Sequence, residues 1–252
     1  MSESLNRRQI IQRGLVVGLP LILGACQRKT AARWKPLSPD EIDGPPIKPL
    51  AGAEHPRSRT PRPELEQSPI SGIIPRREWT NAQPNLAAIN PMNGVDRITV
   101  HHDGMPPVTL RSKNDAASRL EIIRESHTQR TDDSNHHWAD IGYHYIIDPQ
   151  GRVWEGRPIR YQGAHVKNNN EHNLGIMVLG NFDEQKPTNE ALATLDAFLA
   201  DRMRGYRLSL DRVVTHQEIN PTACPGRNLQ AYMRATRASS GRLASNGWLA
   251  RA

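Results

Sequence analysis

The sequence predicts an α/β fold: a central mixed β-sheet flanked by α-helices, in one domain. Three observations predict it. Short β-rich runs alternate with stretches of helical periodicity. Two of those runs flank Asp148-Pro149-Gln150-Gly151, whose residue order suits a type I turn, so one strand pair is antiparallel. A length of 252 residues suffices for one ordinary domain plus tails.

The first 26 residues read as an export signal. Arg7, Arg8 and Arg13 precede a short apolar run from Gly14 to Ala25, too short to span a bilayer comfortably as a helix. Leu23-Gly24-Ala25-Cys26 resembles a bacterial lipoprotein cleavage box, with Cys26 as the lipidated residue. The plainer alternative is a signal peptide with an incidental cysteine. Arg7-Arg8 followed by Gln9-Ile10-Ile11 also resembles a twin-arginine signal. We therefore expect an exported protein of the cell envelope or periplasm, anchored to a membrane through Cys26. Residues 27–70 are dense in Pro and charge and lack apolar periodicity, which predicts a disordered tether.

The folded domain is expected over residues 71–238. Arg97–His102 reads as a strand. Leu120, Ile123 and His127 are spaced for one face of a helix between about Asp115 and His127. Ile141–Ile147 reads as a strand, and Arg152–Glu155 returns as its hairpin partner. Leu174–Leu179 is apolar throughout and reads as a buried strand. Thr188 or Asn189 caps a helix whose buried stripe is Leu192, Leu195, Leu199 and Met203. Val213-Val214 is a strand leading into His216, and Leu229, Tyr232 and Met233 mark a last helix. Residues 239–252 are rich in Ser, Gly, Arg and Ala and read as a flexible tail.

Composition excludes more than it selects. The net charge is +7 and the pI about 9.8. No zinc-finger spacing, basic heptad helix or aromatic platform accompanies that charge, so nucleic acid is not the expected partner. The two cysteines, Cys26 and Cys224, do not form a disulfide framework.

Three segments carry chemistry: Val100-His101-His102, Thr215-His216-Gln217-Glu218 and Ala223-Cys224-Pro225-Gly226. A His2Cys set leaves the fourth tetrahedral position of zinc open to water, the pattern of catalytic sites. Pro221 and Pro225 stiffen the loop that would hold Cys224. Strand alternation leaves His101 and His102 both open. Glu218 reads as a surface residue or a partner of the site rather than a member. His136 and His137 read as part of a solvated loop.

Further motifs give the chain a resemblance. Ile74-Pro75-Arg76-Arg77-Glu78-Trp79, Ile98-Thr99-Val100-His101-His102 and Trp138-Ala139-Asp140-Ile141-Gly142-Tyr143-His144-Tyr145 come first. Gly151-Arg152-Val153-Trp154-Glu155-Gly156-Arg157, Gly163-Ala164-His165, Leu174-Gly175-Ile176 and Thr222-Ala223-Cys224-Pro225-Gly226 follow. Together and in this order they resemble the zinc amidases of the peptidoglycan recognition protein family and their phage relatives. The resemblance implies a single zinc-amidase domain with N-acetylmuramoyl-L-alanine amidase activity on peptidoglycan or muropeptides. It implies zinc as cofactor, with His101, His216 and Cys224 as ligands. It places Tyr143 and Thr222 as catalytic residues, and His165 and Asn170 in the substrate groove. Ile176, Met177, Val178 and Leu179 leave no acid where another amidase branch has a glutamate. Asp103 and Asn173 depart from the family's usual threonine and serine. A monomer is expected. The alternative is a module that binds peptidoglycan without cutting it; Cys224 beside both histidines favours hydrolysis.

Overall fold

The computed structural model describes residues 72–107, 109–131, 135 and 137–245. The export signal, Cys26, the tether and residues 246–252 lie outside the described residues. Five strands form one mixed sheet in the order β3-β2-β4-β1-β5. They are β1 (Arg97–His102), β2 (Tyr145–Ile147), β3 (Val153–Glu155), β4 (Asn173–Val178) and β5 (Val213–Thr215). Strands β1, β2, β4 and β5 are parallel, and β3 pairs antiparallel with β2. The helices are α1 (Lys113–Thr128), α2 (Asn189–Tyr206), α3 (Arg227–Arg237) and α4 (Arg242–Ser245).

Two apolar clusters sandwich the sheet. Ile98, Val100, Leu174, Ile176 and Val178 pack with Leu195, Phe198, Leu199 and Met203 of α2, Met233 of α3 and Leu243 of α4. Ile146, Trp154 and Met177 pack with Ala116, Leu120 and Ile123 of α1. Each of the larger side chains contributes roughly 1.5–3 kcal/mol on burial. The period of two along each strand produces this division. It also separates the two neighbouring histidines. His102 shares the face of Ile98 and Val100, and its Nδ1 accepts from Phe182 N at 3.2 Å. His101 points to the other face.

Most boundaries follow local chemistry. Ser112 and Asp115 form a capping box, so α1 begins two residues before the expected Asp115. Thr188 caps α2 by accepting from Ala191 N. At the β2–β3 turn, Gly151 N donates to Asp148 O at 2.9 Å. Gly151 sits at φ +78°, which a residue with a Cβ rarely adopts.

Two expectations need correction. The strand expected over Ile141–Ile147 covers only Tyr145–Ile147. The backbone before it is committed to side chains: Arg157 donates to Asp140 O and Ile141 O, and Gly142 N donates to His127 Nδ1. At the other end, α4 lies inside the segment read as tail. Leu243 and Ala244 are buried, and Leu243 N donates to Thr236 Oγ1. One leucine in a polar stretch was enough to dock it.

Candidate metal centre and cleft

Parallel β1 and β5 deliver His101 and His216 to the same end of the sheet. His101 is the fifth residue of β1, and His216 opens a 3-10 turn directly after β5. The loop that follows folds back on that turn, with Gln217 N donating to Cys224 O at 2.9 Å. This return places Cys224 Sγ 3.5 Å from His101 Nδ1. The Cys224–Pro225 peptide is cis. One ligand atom from each of His101, His216 and Cys224 lies within 4.8 Å of the other two.

The donor set fits a metal ion. Two imidazoles and a thiolate suit a borderline-soft divalent cation, and three protein ligands leave one position open. His216 Nε2 is buried without a hydrogen-bond partner. Burial, reinforced by the neighbouring histidines, holds His101 well below the usual imidazole range, so its ring is neutral. Burial likewise brings His216 down to about 4. Neutral imidazole is the ligating form. Cys224 as a whole is half-buried, yet desolvation pushes its thiol up to about 12. A thiol so disfavoured as an anion becomes thiolate only beside a cation.

The centre lies in a cleft of about 1090 Å³ lined by Tyr143, His165, Asn170, Thr222 and Cys224 among others. Every predicted site residue therefore reaches one place, though their roles differ. The half-buried Tyr143 ring lies 5.1 Å from the His101 ring and 5.5 Å from the His127 ring. Thr222 Oγ1 accepts from Cys224 N at 3.2 Å, which leaves the hydroxyl hydrogen uncommitted by that bond. Asn170 Oδ1 accepts from His165 N and Val166 N, so it shapes the cleft wall. His165 Nδ1 lies 3.0 Å from His101 Nε2.

Sequence reading did not assign three further contributors. His127, expected only on a buried helix face, lines the cleft and braces the Tyr143 loop through Gly142 N. Trp138 and Arg130 line the same wall, with the guanidinium 5.3 Å from the indole. A histidine on an otherwise apolar stripe was the available signal for His127. Glu218 is a partner of the site, as expected. It accepts from Thr215 N, Gln230 Nε2 and Arg237 and fastens the His216 turn to α3.

Residues 91–227 match the family model described as N-acetylmuramoyl-L-alanine amidase. The chain is 31% identical over 171 residues to peptidoglycan-recognition protein SD of Drosophila melanogaster, spanning 64% of this chain and 84% of that protein. It is 37% identical over 163 residues to peptidoglycan-recognition protein SC2 of the same organism, with the same coverage of 64% and 84%. Among solved structures, Drosophila peptidoglycan recognition protein SD aligns with a TM-score of 0.56 at 29% identity, covering 64% of this chain and 92% of that one. Peptidoglycan recognition protein LE, in complex with tracheal cytotoxin, a monomeric diaminopimelic acid-type peptidoglycan, aligns with a TM-score of 0.57. Its identity is 26%, over 66% of this chain and 94% of that one.

Proposed function

The chain belongs to the N-acetylmuramoyl-L-alanine amidase family, and from that premise we propose that it is a zinc-dependent amidase. Its substrate is peptidoglycan or a muropeptide. The bond it cuts joins the lactyl group of N-acetylmuramic acid to the first L-alanine of the stem peptide. The observation that carries this reading is the convergence of His101, His216 and Cys224, of which His216 and Cys224 line the cleft. A protein that only binds its ligand has no need of an open three-ligand metal centre.

His101, His216 and Cys224 would hold zinc, which when bound would supply a Lewis acid able to activate water near neutral pH. The protein's own groups do the rest. Tyr143, packed against His101, donates its hydroxyl hydrogen bond to the oxyanion that develops on the scissile carbonyl. Thr222, whose Oγ1 accepts from Cys224 N, keeps its hydroxyl hydrogen for the substrate amide. The buried, apolar Ile176–Leu179 stretch offers no acid, so proton transfer does not pass through β4.

Muropeptide digestion followed by mass spectrometry tests the proposal. Purified protein should release stem peptides beginning at L-alanine, and both a chelator and Cys224→Ala should abolish the release. Tight peptidoglycan binding with no released peptide at any zinc concentration would make this a recognition protein instead.

The same proposal includes location. The protein is exported and held at a membrane of the cell envelope through lipidated Cys26, with residues 27–70 as its tether. The motifs around Cys26 support this. Labelled palmitate should enter the wild-type chain and not Cys26→Ala; equal labelling of both removes the anchor.

A further inference from the structure

His165 sits where a substrate contact is expected, yet its ring is fully engaged by the protein. Nε2 lies 3.1 Å from the carbonyl oxygen of Asn173. Nδ1 lies 3.0 Å from His101 Nε2. The residue is only 6% exposed. Its ring fills a slot between Gly163 and Gly175, and a Cβ on either glycine would fall within 3.0 Å of it.

The slot is anchored. The carbonyl that His165 meets belongs to the first residue of β4. The Asn173 side chain ties β4 to its surroundings, with Thr99 Oγ1 donating to Oδ1 at 2.8 Å and Nδ2 donating to Asn169 O at 2.7 Å. Asparagine at this position, in place of the family's usual serine, thus has a structural reason.

Proton placement follows along this line. A carbonyl oxygen only accepts, so the ring proton of His165 is on Nε2. Its Nδ1 is then an acceptor, and His101 must donate from Nε2. That leaves the His101 lone pair on Nδ1, the atom that faces Cys224 Sγ at 3.5 Å. The order Asn173 carbonyl, His165, His101 allows one arrangement of protons when both rings are neutral.

We propose that His165 is a positioning residue that locks the tautomer and orientation of the ligand His101, and is not a contact for the substrate. This rests on the metal-centre reading above. Outer partners of metal-ligating histidines act in this way generally, and their loss typically costs 10–100-fold in metal affinity or activity.

The test uses the full chain and zinc itself. Competition against a chromophoric chelator should show zinc affinity about 10–100-fold weaker in His165→Ala. His165→Gln should lie between, because its side-chain oxygen can still accept from His101 Nε2. At saturating zinc, the KM for a muropeptide should stay near that of wild type in His165→Gln, whereas a lost substrate contact would raise it. Nitrogen-15 NMR of the wild-type chain should place the His101 proton on Nε2, a readout that needs no variant to fold. Wild-type zinc affinity in both variants, or the His101 proton on Nδ1, overturns the proposal alone. A wild-type chain that takes up no zinc overturns the metal-centre reading beneath it.

Discussion

The Tyr143 ring packs within the site, and on the proposed mechanism its hydroxyl has a separate part. The ring packs among His101, His127 and His165, with centroids 5.1, 5.5 and 6.3 Å away. Phenylalanine keeps that packing. Tyr143→Phe should therefore fold and bind zinc as wild type does, while kcat falls by about 10²–10³, the usual cost of one oxyanion donor. Steady-state kinetics beside a zinc titration separates the two. A variant that loses zinc and rate in proportion would show that the hydroxyl serves the metal centre instead of the reaction. At this scale the sequence was informative about identity and poor about direction. His101 and His102 are adjacent and equally good ligands on paper. Strand alternation leaves both open and the choice of His101 rests on the resemblance; the packing of Ile98 and Val100 on one face of β1 puts His102 on that face and His101 on the other.

The elements that carry the candidate ligands are held by polar fastenings that composition does not reveal. Glu218 is the plainest. Burial pushes its pKa up, but hydrogen bonds from Arg237, Thr215 N and Gln230 outweigh that and hold it below the usual carboxylate range. Arg237 meets it twice, at 2.6 and 2.9 Å. Its site lies at the joint of β5, the His216 turn and α3. Glu218→Ala should cost on the order of 1–3 kcal/mol, since several donors lose their acceptor together. Zinc affinity should drop with it, while kcat at saturating zinc stays near wild type. Chemical denaturation and a zinc titration on one preparation check both; lost stability with unchanged zinc affinity would reduce the fastening to a generic one. The legible elements were those whose stripe faces a single core, such as α2 with Leu195, Leu199 and Met203. Strand β1 was also legible, from its β-branched run. The segment before β2 was not. Its apolar Ile141 reads as strand, but Arg157 claims the carbonyls on either side of the expected start, and no periodicity encodes a long-range guanidinium. The short α4 was missed for the opposite reason, because one buried leucine leaves no period to read.

Across the whole molecule, the site requires a set of buried imidazoles to remain uncharged. Among the described residues no helix is long and apolar enough to cross a membrane. His144 shows the consequence most cleanly because it is not a ligand. Its Nδ1 accepts from Gly175 N at 2.9 Å, and its Nε2 lies 3.0 Å from Tyr161 O. Burial brings its pKa down to about 3. His127 is held well below the usual range, first by burial and then by Arg130 and Arg157. In the unfolded chain each returns to about 6.5. Between the two values the unfolded chain binds more protons than the folded one, so stability rises with pH in that window. The contribution is fully present above about pH 6.5 and is lost progressively as pH falls toward the folded values. Each such histidine removes up to about 1.4 kcal/mol per pH unit. With chelator present to exclude metal, urea unfolding should give a midpoint that falls steadily from about pH 6.5 to 5, before most carboxylates titrate. His144→Gln should be less stable at pH 7 yet show a shallower slope, because one titrating group is gone. A midpoint indifferent to pH across that interval, or an unchanged slope in the variant, would mean that the rings find protons inside the fold.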